Sequence, residues 1–216
     1  MTSSSSPIQA LQLRLAVLLL AAGEGSRLGR HPKALLRKDG HTLLQRFSSA
    51  IQGFALTEYI VVTGFHAEAI ESEIEKLNLS LAHPIKVIKN PAPERGHASS
   101  VRLGLESFKG VFDVLLVALS DQPVIGEKEV QELLDAFLKL KIGEEIILPM
   151  VEGKRGNPVV FSRKAISEVL GTPGMVCREY MDHHPSQVRT MLTSNQAFLM
   201  DVDTPEDIQL HKLSLT

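Results

Sequence analysis

Short unbroken apolar runs alternate with stretches of helical spacing along most of this chain, and that alternation restricts its fold more than any other feature. The runs are Leu15–Ala22, Tyr59–Thr63, Ile85–Ile88, Asp113–Leu119, Ile146–Met150, Pro158–Phe161 and Ala197–Val202. Helix-period segments fall between them at Thr42–Phe54, Ala67–Leu77, Ala98–Phe108 and Glu127–Leu140. Thr42 followed by Gln45 has the form of a capping box. Strands without polar alternation must be covered on both faces, so the expected architecture is three-layer α/β/α with a mostly parallel sheet. In such sheets ligands bind beyond the carboxyl ends of the strands. Functional residues are therefore expected immediately after strands.

A length of 216 residues favours one domain, read here as residues 13–216 behind a flexible tail over residues 1–12. Lys and Arg number 23 against 25 Asp and Glu, a net charge of -2, which excludes a general nucleic-acid coat or membrane-surface protein. Aromatic residues make up 5% with no Trp, which disfavours stacking platforms for single-stranded nucleic acid. The single cysteine, Cys177, excludes an internal disulfide framework and a Cys-only zinc site, and no basic pattern around it argues for a reactive thiol. The Ser-rich start lacks a basic region before an apolar run of only eight residues, so neither a signal peptide nor a membrane helix is expected, and the protein is read as cytoplasmic.

The first strand runs directly into a glycine loop, Gly23-Glu24-Gly25-Ser26-Arg27-Leu28-Gly29. Glycines let backbone N–H groups crowd around a phosphate. Two familiar motifs are close but wrong. A dinucleotide fingerprint needs its third glycine one residue earlier and an acidic residue where this chain has Thr63-Gly64. A P-loop would end in Gly-Lys-Ser/Thr, whereas Gly29 precedes Arg30-His31. From Ala21 to Gly40 basic residues outnumber acids by three. Arg27 and Lys33 flank the loop as candidate clamps on a triphosphate.

Carboxylates answer that basic loop from two places. Asp121 follows the run ending at Leu119, and Asp201 and Asp203 lie on one side of an extended segment before Thr204, a natural N-cap with Asp207 closing its box. Mg²⁺ is commonly held by one or two carboxylates plus substrate phosphates. Ser99 and Ser100 open a helix after Asn90 and could meet a base or simply cap it. Asn157-Pro158 reads as a turn into a strand.

These motifs carry a family resemblance. Residues 20–36, LAAGEGSRLGRHPKALL, resemble the LAAGxGxRxG…PK signature of the MobA-like nucleotidyltransferases. SDQP at 120–123 is similar to the GDQP of the molybdenum cofactor cytidylyltransferase group, and DVDTPED at 201–207 to the family's closing segment. The resemblance implies a Rossmann-like, GT-A-like nucleotidyltransferase fold. It implies nucleotide binding by Leu20, Ala21, Ala22, Gly23, Gly25, Ser26, Arg27, Lys33, Ser99 and Ser100, with Arg27, Lys33 and Asp121 catalytic. Asp121 and Asp203 would hold Mg²⁺, and Asn157 and Pro158 would face the acceptor. Ala22 resembles the cytidylyl members, which implies CTP as donor, and the SDQP likeness implies molybdopterin as acceptor, with a molybdoenzyme or its chaperone as a partner. A sugar or alcohol phosphate acceptor, and a non-catalytic molybdenum cofactor chaperone, remain open as alternatives.

Overall fold

The computed structural model describes residues 13–215; the tail expected at residues 1–12 lies outside them. The centre of the sheet is β1 (Leu15–Ala21), in which all seven residues are buried. Side chains alternate across a strand, so Leu15, Val17 and Leu19 enter one core while Ala16, Leu18 and Leu20 enter the other. Each large side chain so buried contributes about 1.5–3 kcal/mol, which is why the strand has no polar face.

A small ribbon of β2 (Arg37–Lys38) and β3 (His41–Thr42) leads into α1 (Leu43–Ile51). Thr42 caps that helix, its hydroxyl accepting from the Gln45 N–H at 3.0 Å. The reciprocal bond of the expected box, from the Thr42 N–H to the Gln45 side chain, is absent, and the Thr42 hydroxyl also donates to Glu73 at 3.1 Å. Strand–helix units follow: β4 (Leu56–Thr63), α2 (Ala67–Asn78), β5 (Ile85–Lys89), α3 (His97–Glu106), β6 (Val114–Leu119) and α4 (Glu127–Phe137). Next come β7 (Ile146–Val151), β8 (Lys154–Arg155), β9 (Val159–Ser162), α5 (Arg163–Gly171) and α6 (Cys177–His183). The edge strand β10 (Val188–Leu192) and the short α7 (Pro205–Leu210) end the described chain.

The sheet order is β10-β7-β9-β6-β1-β4-β5, with β8 paired to β7. Pairs β1–β4, β1–β6, β4–β5 and β7–β10 are parallel, whereas β9 runs against β6 and β7. The mostly parallel sheet with helices on both faces is therefore as expected. No described helix is long and apolar enough to cross a membrane.

One expected strand is corrected. Ala197–Val202 overlaps a 3₁₀ turn, Gln196–Leu199, followed by extended chain outside the sheet. The Asn195 side chain accepts from the Ala197 N–H at 3.1 Å and starts the turn, which buries Ala197 and Phe198. The true strand lies earlier, at β10, where Arg189 and Thr190 interrupt any apolar run.

Candidate active site

The glycine loop is shaped by backbone that other residues resist. Gly25 has φ 67° and its carbonyl accepts from the N–H groups of Leu28 and Arg30. A Cβ there would lie 2.2 Å from the His31 carbonyl oxygen, so glycine is required on both steric and conformational grounds. Leu28 anchors the loop in a small separate core with Leu36, Leu43, Val202 and Leu213. That core brings the segment carrying Asp203 beside the loop.

Lys33, in the turn Lys33–Leu35, is the hub of the charged cluster. Its Nζ donates to Asp121 Oδ2 at 2.9 Å and to Asp203 Oδ1 at 2.5 Å. Arg27 donates to Asp203 Oδ2 at 3.2 Å. Burial alone would lower the Lys33 pKa, but the two carboxylates outweigh it and the net shift is upward. Asp121 follows β6, and its carbonyl accepts from the Val202 N–H at 3.0 Å, which fixes the two acidic segments against each other. Its Oδ1 is buried and makes no hydrogen bond. Asp201 has its pKa raised by burial first and then by the charges of Asp121 and Asp203, so it shares their neighbourhood, though it forms no ion pair among the described residues. Asp203 does not terminate a strand, contrary to expectation. Its N–H donates to Asp207 Oδ2 at 2.9 Å within the α7 cap, where Thr204 and Asp207 form the expected box.

A cavity of about 490 Å³ opens over the carboxyl ends of β1, β4, β5 and β6. Leu20, Ala21, Ala22, Gly23, Gly25, Ser26, Arg27 and Lys33 all line it, together with Ser100, Asp121 and Asp203. Phe65, Pro93, Gly96 and His97 also line it and were not singled out from the sequence. Desolvation lowers the His97 pKa against the pull of Asp121, although much of the residue stays open to solvent.

Ser99 is not in the cavity wall. Its hydroxyl donates to the Gly96 carbonyl at 2.8 Å, and buried Asn90 donates to both Ser99 and Ser100 at 2.9 Å. Asn90 is thus a positioning residue that its place after β5 alone could have suggested. Asn157 and Pro158 also lie outside the wall; the Asn157 carbonyl accepts from Gln122 at 3.2 Å, behind Asp121. Cys177 is buried and its pKa is pushed up to about 12, the inert thiol expected.

No described set of three or more His, Cys, Asp or Glu residues converges as a metal cage. Two carboxylates sharing one cationic partner, with one buried oxygen left over, instead suit a hard divalent cation completed by substrate phosphates.

Residues 17–186 match the family model of the MobA-like NTP transferase domain. Nicotine blue oxidoreductase of Paenarthrobacter nicotinovorans is 31% identical over 203 residues, covering 91% of this chain and 94% of that one. The bifunctional IPC transferase and DIPP synthase of Thermococcus kodakarensis is 35% identical over 96 residues; the match takes in 44% of this chain but only 21% of that protein. Among solved structures, Rv0371c of Mycobacterium tuberculosis superposes with a TM-score of 0.70 at 24% identity, covering 94% of this chain and 100% of that one. A further structure of Rv0371c is a complex with manganese.

Proposed function

The chain belongs to the MobA-like NTP transferase family, and on that premise we propose magnesium-dependent transfer of CMP from CTP to the phosphate of molybdopterin. The observation that carries the reading is the convergence of Asp121 and Asp203 on one ammonium group, with Asp121 Oδ1 buried and unpartnered. Those two residues would hold the metal, which when bound neutralises and orients the triphosphate. An acceptor phosphate oxygen forms a bond to the α-phosphorus as the bond from that phosphorus to the bridging oxygen breaks, and pyrophosphate leaves with the electron pair. Arg27 and Lys33 offset the charge growing on the departing group, and the glycine loop from Gly23 to Ser26 cradles the phosphates. Positioning and charge suffice for this step, so no protein nucleophile is invoked. The choice of CTP rests on Ala22 in LAAG, and that of molybdopterin on the SDQP segment. A molybdoenzyme or its chaperone is the recipient of the product in this reading.

Pyrophosphate release from each of the four NTPs, with molybdopterin, a sugar phosphate or erythritol phosphate as acceptor, tests the proposal. CTP with molybdopterin is expected to give the fastest release. Release only with another acceptor reassigns the substrate, and no release with any NTP overturns nucleotidyl transfer. A second reading, an oxidoreductase on this fold, is favoured by the full-length likeness to nicotine blue oxidoreductase. It gives the Lys33–Asp121–Asp203 cluster no task, and it predicts consumption of a nicotinamide cofactor without pyrophosphate.

A further inference from the structure

We propose that Phe65 is the stacking face for the planar heteroaromatic ring of the nucleotide, and so sets how tightly the base end of the substrate is held. The inference rests on the nucleotidyl-transfer reading above and assigns its base subsite. Sheet order makes the cavity two-ended. Its charged end, with Asp121 and Lys33, lies beside β6 and β1, and its apolar end, with Phe65 and Pro93, lies beyond β4 and β5. Phe65 is the one Phe or Tyr of the described cavity wall, and it keeps 44% of its surface exposed in a chain where such residues are scarce.

Its two neighbours hold it against the glycine loop. At Gly64 the backbone packs so closely that a Cβ would lie 2.7 Å from the Ala22 carbonyl oxygen and 2.9 Å from the Pro93 side chain. On the other side the His66 ring meets the Glu24 carbonyl at 2.8 Å. The backbone that carries the ring is thereby fixed relative to the loop assigned to the phosphates, which lowers the ordering cost of binding a base. A pterin is also a flat heteroaromatic ring. Because Gly64 and His66 pack directly against the phosphate loop, the donor's base, rather than the acceptor's pterin, is assigned here.

The chain has no tryptophan, so F65W adds a lone tryptophan at this spot, excited selectively over the two tyrosines. Its emission is expected to be quenched by CTP and to respond far less to inorganic triphosphate or to a pterin phosphate. F65A is expected to raise the KM for CTP roughly tenfold, the size of a lost base–aromatic stack, while kcat and inhibition by inorganic triphosphate stay within about twofold. F65W should keep the wild-type KM. An unchanged CTP KM in F65A, an equal loss for CTP and inorganic triphosphate, or quenching of F65W by pterin phosphate alone would each overturn the assignment. Fluorescence reads binding without turnover. Failure of wild-type pyrophosphate release therefore counts against the transferase reading, and an unquenched F65W against the stacking face.

Discussion

At the scale of single residues, Lys33 decides the state of the site. Its ammonium, held charged by two carboxylates that outweigh its burial, uses the same oxygens a divalent cation would need. Ammonium and metal therefore compete before substrate arrives. K33A should lower Tm without metal, since Asp121 and Asp203 then lose the cation they share and, among the described residues, only Arg27, on Asp203, remains as counter-charge. Added Mg²⁺ should raise Tm more in K33A than in wild type, while turnover at saturating CTP and Mg²⁺ falls on the order of 10²-fold or more. Thermal melts with and without Mg²⁺, alongside pyrophosphate release, check both halves. Equal Mg²⁺ shifts in the two proteins would show that Lys33 does not occupy the cation's place.

At the scale of elements, what the sequence made legible is what is local. The loop after β1 and Asp121 after β6 could be placed because a buried strand ends abruptly and the next residues sit at a fixed spacing from it. The edge strand β10 was hidden, because one face meets water and its polar residues break the run, while Ala197–Val202 looked like a strand only by composition. Contacts between distant segments were not legible either. Asn90 reaching Ser100, or Gln122 reaching the Asn157 carbonyl, depends on packing that no short window contains. The α7 cap lies between these cases: its box was readable, but not its consequence, the bond from the Asp203 N–H to Asp207. D207A should therefore weaken the response to Mg²⁺ by about 10–100-fold, as losing the outer support of a ligand does, while kcat at saturating metal is largely kept. A Mg²⁺ titration of pyrophosphate release measures this, and an unchanged half-saturation would show that Asp203 is held in place without the cap.

At the scale of the whole molecule, the net charge of -2 averages over two ends of a sheet with opposite tasks. The carboxyl ends of β1 and β6 carry the crowded cluster of Lys33, Asp121 and Asp203. The amino ends of the same strands are tied by Arg14 and Asp113, whose carboxylate accepts from the Arg14 N–H at 2.9 Å and from its guanidinium at 2.6 and 3.1 Å. The Asp113 carbonyl also accepts from the Arg163 N–H at 3.1 Å, joining α5 to the same corner. The Arg14 hydrogen bonds hold the Asp113 pKa below its ordinary value of 3.8. A depressed carboxylate contributes stability that is complete above that ordinary value and is lost as pH falls through the lower, folded one. Acidification below about pH 4 should thus remove this tie at the amino ends of β1 and β6. D113N removes the titrating group. It should lower Tm at pH 7 by on the order of 1–3 °C, with a gap to wild type that closes as pH falls below 3.8, and leave kcat unchanged. Melting curves from pH 7 down to about 2.5 test the sign, because a gap that widened with acid would mean the Asp113 carboxyl is better accommodated protonated than charged.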